Sequence, residues 1–166
     1  VLETPWIEEC ENLLAVTRTL NLGPGEAPLA CWLADAPADS KVKRESLGRG
    51  KRLLSLAAGD QTIAAALVAS DPAGSIEPRE NGIVYEAPAR SRSLTVKLIL
   101  WSGPSKELAS FKALVEASAA PEDVTELTAP DEPQWTVEPV TQGVVAASDK
   151  PYVVDTLTPP FDNPYK

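Results

Sequence analysis

The chain contains no histidine and no methionine, and its 166 residues include only two cysteines. Without histidine there is no Ser-His-Asp triad or Cys-His pair, no histidine metal ligand and no Cys-x-x-Cys-His haem attachment. Without methionine, residue 1 is not an initiator, which predicts a processed or excised product; no signal peptide is present, although one removed earlier fits the same expectation. No apolar run approaches the roughly 20 residues that span a bilayer, so no membrane span is expected. There is no Gly-rich phosphate loop and no nucleophile elbow. None of Asn12, Asn21, Asn81 and Asn163 is followed by the N-glycosylation acceptor pattern.

Positive charge is also scarce. The formal net charge is −9, whereas a duplex-binding surface needs clustered Lys and Arg to displace counterions. Nucleic acid and anionic membrane surfaces are therefore poor partners. The one basic cluster is Lys41, Lys43, Arg44, Arg49, Lys51 and Arg52, interrupted only by Glu45. It reads either as a solvated loop or as a docking patch for an acidic partner or glycan.

What is present resembles a soluble globular chain, 43% hydrophobic and 23% charged. Its 16 prolines are roughly twice the usual share and cluster at apparent segment ends, favouring short strands and turns over a helical bundle. The clearest strand is Leu94–Trp101. Leu94, Val96, Leu98 and Leu100 fall on one face and Thr95, Lys97 and Ile99 on the other, until Ser102-Gly103-Pro104 stops it.

Around this strand the chain divides into candidate partners. Val1–Ile7 reads as an edge strand because Pro5 cannot donate in a central ladder, with a charged turn at Glu8, Glu9 and Glu11. Leu13–Leu20 is a second strand. Its Arg18, on an apolar face, is expected at a strand end with its head in water, the alternative being a buried ion pair with an early Glu. Gly23-Pro24-Gly25 predicts a hairpin to Pro28–Ala34. In that hairpin Cys10 and Cys31 come close in a suitable register, so they form either one disulfide or two buried thiols. Asp35–Gly50 reads as irregular. Lys51–Ala58 and Gln61–Ser70 flank Gly59-Asp60 as a hairpin, the alternation of Ile63, Ala65 and Leu67 outweighing the helix propensity of Ala64–Ala66. A short strand at Gly82–Glu86 follows a loop at Pro78–Asn81. After Gly103-Pro104, Ser105 caps a helix to about Ala117 with Leu108, Phe111, Leu114 and Val115 as its apolar stripe.

From Ala119 to Lys150 the chain turns acidic and proline-rich, with short strands expected at Trp135–Val137, Gly143–Ala147 and Pro151–Leu157. Residues 158–166 carry three prolines and read as an extended tail. The expectation is thus an antiparallel, all-β sandwich-like domain over residues 1–157, with an accessory helix near 105–117 and a linker-like tail.

Candidate chemistry is sparse. Acidic pairs such as Glu8-Glu9, Glu122-Asp123 and Asp131-Glu132 have the groups for glycosidase acid/base work, but 24 acids make chance pairs common. Asp35 and Asp39 lack the Asp-x-Asp-x-Asp-Gly calcium pattern. Of the four tryptophans, Trp6, Trp32 and Trp135 are candidates for stacking on sugar rings; buried aromatic core is the commoner fate. No catalytic, cofactor-binding or metal residue is expected, and no cofactor.

Three stretches carry a resemblance: Val1-Leu2-Glu3-Thr4-Pro5-Trp6, Thr17-Arg18-Thr19-Leu20-Asn21-Leu22-Gly23-Pro24, and Asp155-Thr156-Leu157-Thr158-Pro159-Pro160-Phe161-Asp162-Asn163-Pro164-Tyr165. They are similar to a β-rich domain of unknown function in large exported proteins of planctomycete-type bacteria. Those proteins also contain a sugar-dehydrogenase-like propeller and a c-type cytochrome domain. The resemblance implies an internal piece of an exported, multidomain, oxidoreductase-like parent, and transfers no catalytic residue or haem ligand to this chain. The resulting expectation is a non-catalytic structural or interaction module that acts through β-edge pairing with itself or a partner chain. The alternative is a carbohydrate-binding sandwich.

Overall fold

The computed structural model describes residues 1–10, 13–48, 50–69 and 74–129, and the backbone of 143–144 and 156–157. The chain forms two units, Val1–Ala129 and Pro130–Lys166. In the second, β10 (Gly143–Val144) and β11 (Thr156–Leu157) pair antiparallel. The expected strand at Trp135–Val137 and the tail at 158–166 lie outside the described residues.

The first unit is built on β1 (Leu2–Cys10), β2 (Leu13–Leu22), β3 (Leu29–Asp35), β4 (Lys41–Gly48), β5 (Lys51–Ala58), β6 (Gln61–Ala69), β7 (Ser75–Arg79), β8 (Gly82–Ala87), β9 (Leu94–Pro104) and α1 (Leu108–Ala117). A six-stranded sheet has the order β1-β2-β9-β6-β5-β4, a three-stranded sheet β3-β8-β7, and every pairing is antiparallel.

The sequence periodicity explains the layering. β9 is central in the larger sheet. Its Val96 and Leu98, with Leu20, Leu54 and Leu67, pack against Ile83 and Tyr85 of the smaller sheet. Ile99 and Trp101 face the opposite way, onto Phe111, Leu114 and Val115 of α1. Trp101 and Phe111 stack at 5.5 Å between ring centres, a geometry favourable for aromatic pairs. The alanine run of β6 fits between two covered faces: Ala65 packs towards the smaller sheet, Ala64 and Ala66 towards the helix. Small side chains let both layers approach, which is why a helix-prone run forms a deeply buried strand.

The helix matches expectation in extent and stripe, but not in its start. Ser105–Glu107 form a 3-10 turn without a side-chain cap, and the Ser105 hydroxyl is within 2.8 Å of the Thr62 hydroxyl instead. Lys51 donates to the carbonyls of Glu116 (2.6 Å) and Ser118 (2.8 Å). A cation there satisfies carbonyls that the helix end leaves unpaired.

Several connections differ from the sequence reading. β2 and β3 belong to different sheets, so Gly23-Pro24-Gly25 is a crossing between layers rather than a hairpin turn; Gly25 bridges Arg90. Glu8 and Glu9 lie within β1, not in a turn. Asp35–Gly50 contains β4, and the loop expected at Pro78–Asn81 includes the end of β7. Pro5 and Pro78 both sit on edge strands, the sheet positions that tolerate a missing N–H. Gly59-Asp60 is the predicted two-residue turn, with Gly59 at φ 64°.

Candidate functional site

The two outer strands of the six-stranded sheet, β1 and β4, have no strand on their far side among the described residues. Which backbone groups they offer follows from the alternation of an antiparallel ladder. Ala58 and Gln61 flank the two-residue turn and so exchange hydrogen bonds. From there the phase passes strand by strand through the registers of β5, β6, β9 and β2. It leaves Glu3, Pro5, Ile7 and Glu9 of β1, and Val42, Arg44 and Ser46 of β4, turned outward. Pro5 lands where no donor to β2 is required, an independent check on the phase.

The two edges differ in charge. β1 carries Glu3, Glu8 and Glu9 and no basic side chain; β4 carries Lys41, Lys43 and Arg44 against Glu45. Some of these charges are engaged. Arg18 Nε and Nη2 donate to Glu3 at 2.6 and 3.1 Å, so Arg18 pairs with an early Glu, but in a partly exposed bridge rather than a buried one. The Arg18 hydrogen bonds hold the Glu3 carboxyl below its usual range, and the same pairing raises Arg18. Glu8 accepts from Lys97. Glu45 is lowered by Lys112, at 2.7 Å, and Glu77 by Arg44, at 3.0 Å. Lys41 and Glu9 have no ion-pair partner among the described residues.

Alternation also divides the basic cluster. Lys41, Lys43 and Lys51 fall on the helix side of the sheet, while Arg44 and Arg52 fall on the side of β3-β8-β7. Lys51 is committed to the end of α1, and Arg52 donates to the Gly74 carbonyl at 2.9 Å. Arg49 lies outside the described residues. Gly48 and Gly50 both have positive φ where β4 turns into β5; a glycine pair directly before Lys51 is the signal that could have marked β4 as a strand.

No protein-family model, curated protein or solved structure matches this chain.

The tryptophans separate by environment. Trp101 is core. Trp6 on β1 is 71% exposed and rims a cleft of about 330 Å³ with Thr17, Lys97 and Leu127. Trp32 on β3 is 49% exposed on the outer face of the smaller sheet. Its Nε1 donates to Asp35 Oδ1 at 2.8 Å, and its ring lies so close over Gly82 that a Cβ there would meet the indole at 2.6 Å. Arg79, Glu80, Asn81 and Glu86 surround it in an open depression. Trp135 lies outside the described residues.

Cys10 and Cys31 are free thiols. The candidate disulfide is not formed, because Cys10 packs on the helix side of the large sheet and Cys31 between the two sheets. With β2 and β3 in different layers, the register that would have joined them does not exist. Asp35, half of the weak calcium candidate, is instead the acceptor for Trp32. Among the described residues no group of three His, Cys, Asp or Glu side chains is placed to hold a metal.

Proposed function

We propose that this chain is a non-catalytic structural or interaction module of an exported multidomain protein or assembly, and that it docks by adding a strand to the outer edge of β1. The observation that carries this reading is a nine-residue strand with no outer partner among the described residues and apolar side chains beside it. Trp6 is on one face; Ile7, Leu14 and Val16 are exposed on the other. Long edges with exposed apolar residues template pairing with another chain; Pro5 removes one outward donor from this edge and leaves those of Glu3, Ile7 and Glu9. The exported setting is supported by the resemblance at the two ends of the chain.

Light scattering across a concentration series tests self-pairing directly. Mass should rise with concentration, and Ile7→Pro, which removes an outward N–H without touching the ladder to β2, should abolish the rise. A wild-type chain that stays monomeric at high concentration, with unchanged amide exchange at Glu3, Ile7 and Glu9, overturns it.

A second reading is favoured by one observation: Trp32 is half-exposed yet pinned by Asp35 and seated on Gly82, with amide, carboxylate and guanidinium groups around it. A fixed indole bordered by hydrogen-bonding groups suits a sugar ring. Glycan-array binding lost in Trp32→Ala supports this reading; an array with no signal removes it.

A further inference from the structure

We propose that the partner strand for β1 is β4 of a second copy of this chain, so that copies join head to tail into one continuous antiparallel sheet. The inference rests on the edge-pairing reading above and adds the identity of the partner.

Three features of the sheet agree. Six strands alternate in direction, so β1 and β4 run oppositely, and a copy placed beside another by translation brings β1 antiparallel to β4. The outward-turned residues of both strands lie on the same face, that of β3-β8-β7, because Glu3, Val42 and Arg44 pair with Leu20, Leu56 and Leu54 of that face and Ile7 shares Glu3's side by alternation. Hydrogen-bonding residues therefore meet one another with both faces of the sheet continuous. The charges are opposite. Joining β1 to β1 gathers six carboxylates and no basic side chain, and joining β4 to β4 in any register centred on Val42, Lys43 or Arg44 sets two cations opposite each other. In a chain of net charge −9, the mixed pairing offers attraction at the seam without setting like charges opposite each other.

The side chains also select a register. With Ile7 opposite Val42, exposed by 61% and 47%, the two apolar residues cover one another. On the other face Glu8 then lies opposite Lys41, the β4 cation without an ion-pair partner, and Trp6 lies opposite Lys43, within reach of a cation–π contact. Pro5 falls opposite Arg44, where one hydrogen bond of that pair is lost. A contact between different surfaces does not close on itself in a translated arrangement, so the assembly is open-ended.

Two proline variants test this in the full chain, each blocking one edge at an outward position. Ile7→Pro closes β1 and Val42→Pro closes β4. Sedimentation velocity should show concentration-dependent growth for the wild type, a monomer for each variant alone, and a two-chain species that grows no further in an equimolar mixture. A dimer of Val42→Pro alone assigns β1 to β1; it overturns the head-to-tail pairing while leaving the β1 edge as the docking site. A dimer of Ile7→Pro alone, or a monomeric wild type, overturns both. The double variant Lys41→Glu/Lys43→Glu, which leaves the backbone of both edges intact, gives a second measure. Association should weaken by about tenfold or more as like charges come to face Glu8, and unchanged association overturns the proposed register.

Discussion

Proline scanning of β4 tests the ladder phase on which the pairing edges depend. Val42 and Lys43 are adjacent and exposed, and neither side chain is needed for the core. They differ in where their N–H points: Lys43 towards Ser55 of β5, Val42 away from the sheet. Proline at 43 removes a ladder hydrogen bond and leaves a carbonyl of Ser55, whose residue is 3% exposed, without its donor. An unsatisfied buried acceptor costs about 1–3 kcal/mol, and the ring adds steric conflict with β5. The Lys43 ion pair with Glu45, at 3.5 Å on an exposed side chain, adds little. In the unassembled chain, at low concentration, proline at 42 removes a donor that faces solvent, so its cost should remain within about 0.5 kcal/mol, as for other surface changes. For a chain of this size each kcal/mol moves Tm by roughly 2–4 °C. Lys43→Pro should therefore melt several degrees below Val42→Pro, with the same order in urea midpoints. Equal losses, or a larger loss for Val42→Pro, would refute the phase and with it the assignment of the outward groups.

Four further outcomes are expected. Phe111→Ala removes the fully buried ring that joins α1 to Trp101, and should cost about 3–5 kcal/mol in urea unfolding; a loss below about 1 kcal/mol would mean that α1 does not close that face. The Tyr85 phenol is pushed up to about 12, mainly by burial, with Arg90 opposing and Cys31 adding to the rise. A folded value above the unfolded one gives stability that is complete below pH 10 and lost as pH rises towards 12; the thermal midpoint should fall over that window, and Tyr85→Phe should flatten the slope. Glu3, Glu45 and Glu77 are lowered from 4.5, so the stability they supply is present above that value and lost as pH falls through their folded values; an acid-insensitive chain would contradict these pairings. Finally, thiol titration of the unreduced, denatured protein should count two thiols, and reductant should leave Tm unchanged; a protected pair would contradict the separation of Cys10 from Cys31.

Much of the fold was legible because its signals are local. Alternation in Leu94–Trp101 and Gln61–Ala69, the two-residue turn at Gly59-Asp60 and the stripe Phe111–Leu114–Val115 each depend on residues within one or two turns of chain. Pro5 marked an edge for the same reason. β4 was hidden because its side chains are mostly charged, leaving no apolar face to alternate. β7 was hidden because Pro78 reads as a breaker unless the strand is known to be an edge.

The sequence by itself determined most of the extended segments, though not β4 or β7, and where the helix lies, and with no histidine it leaves no histidine chemistry. Only the tertiary structure decided which strands are neighbours, because pairing depends on which faces complete a common core. That choice sent β2 and β3 to different layers, put the two cysteines on opposite sides of a sheet, and divided a continuous basic run between two faces. It also made the acidic β1 and the basic β4 the two outer strands of one sheet among the described residues, a relation between residues some forty positions apart that no local pattern encodes.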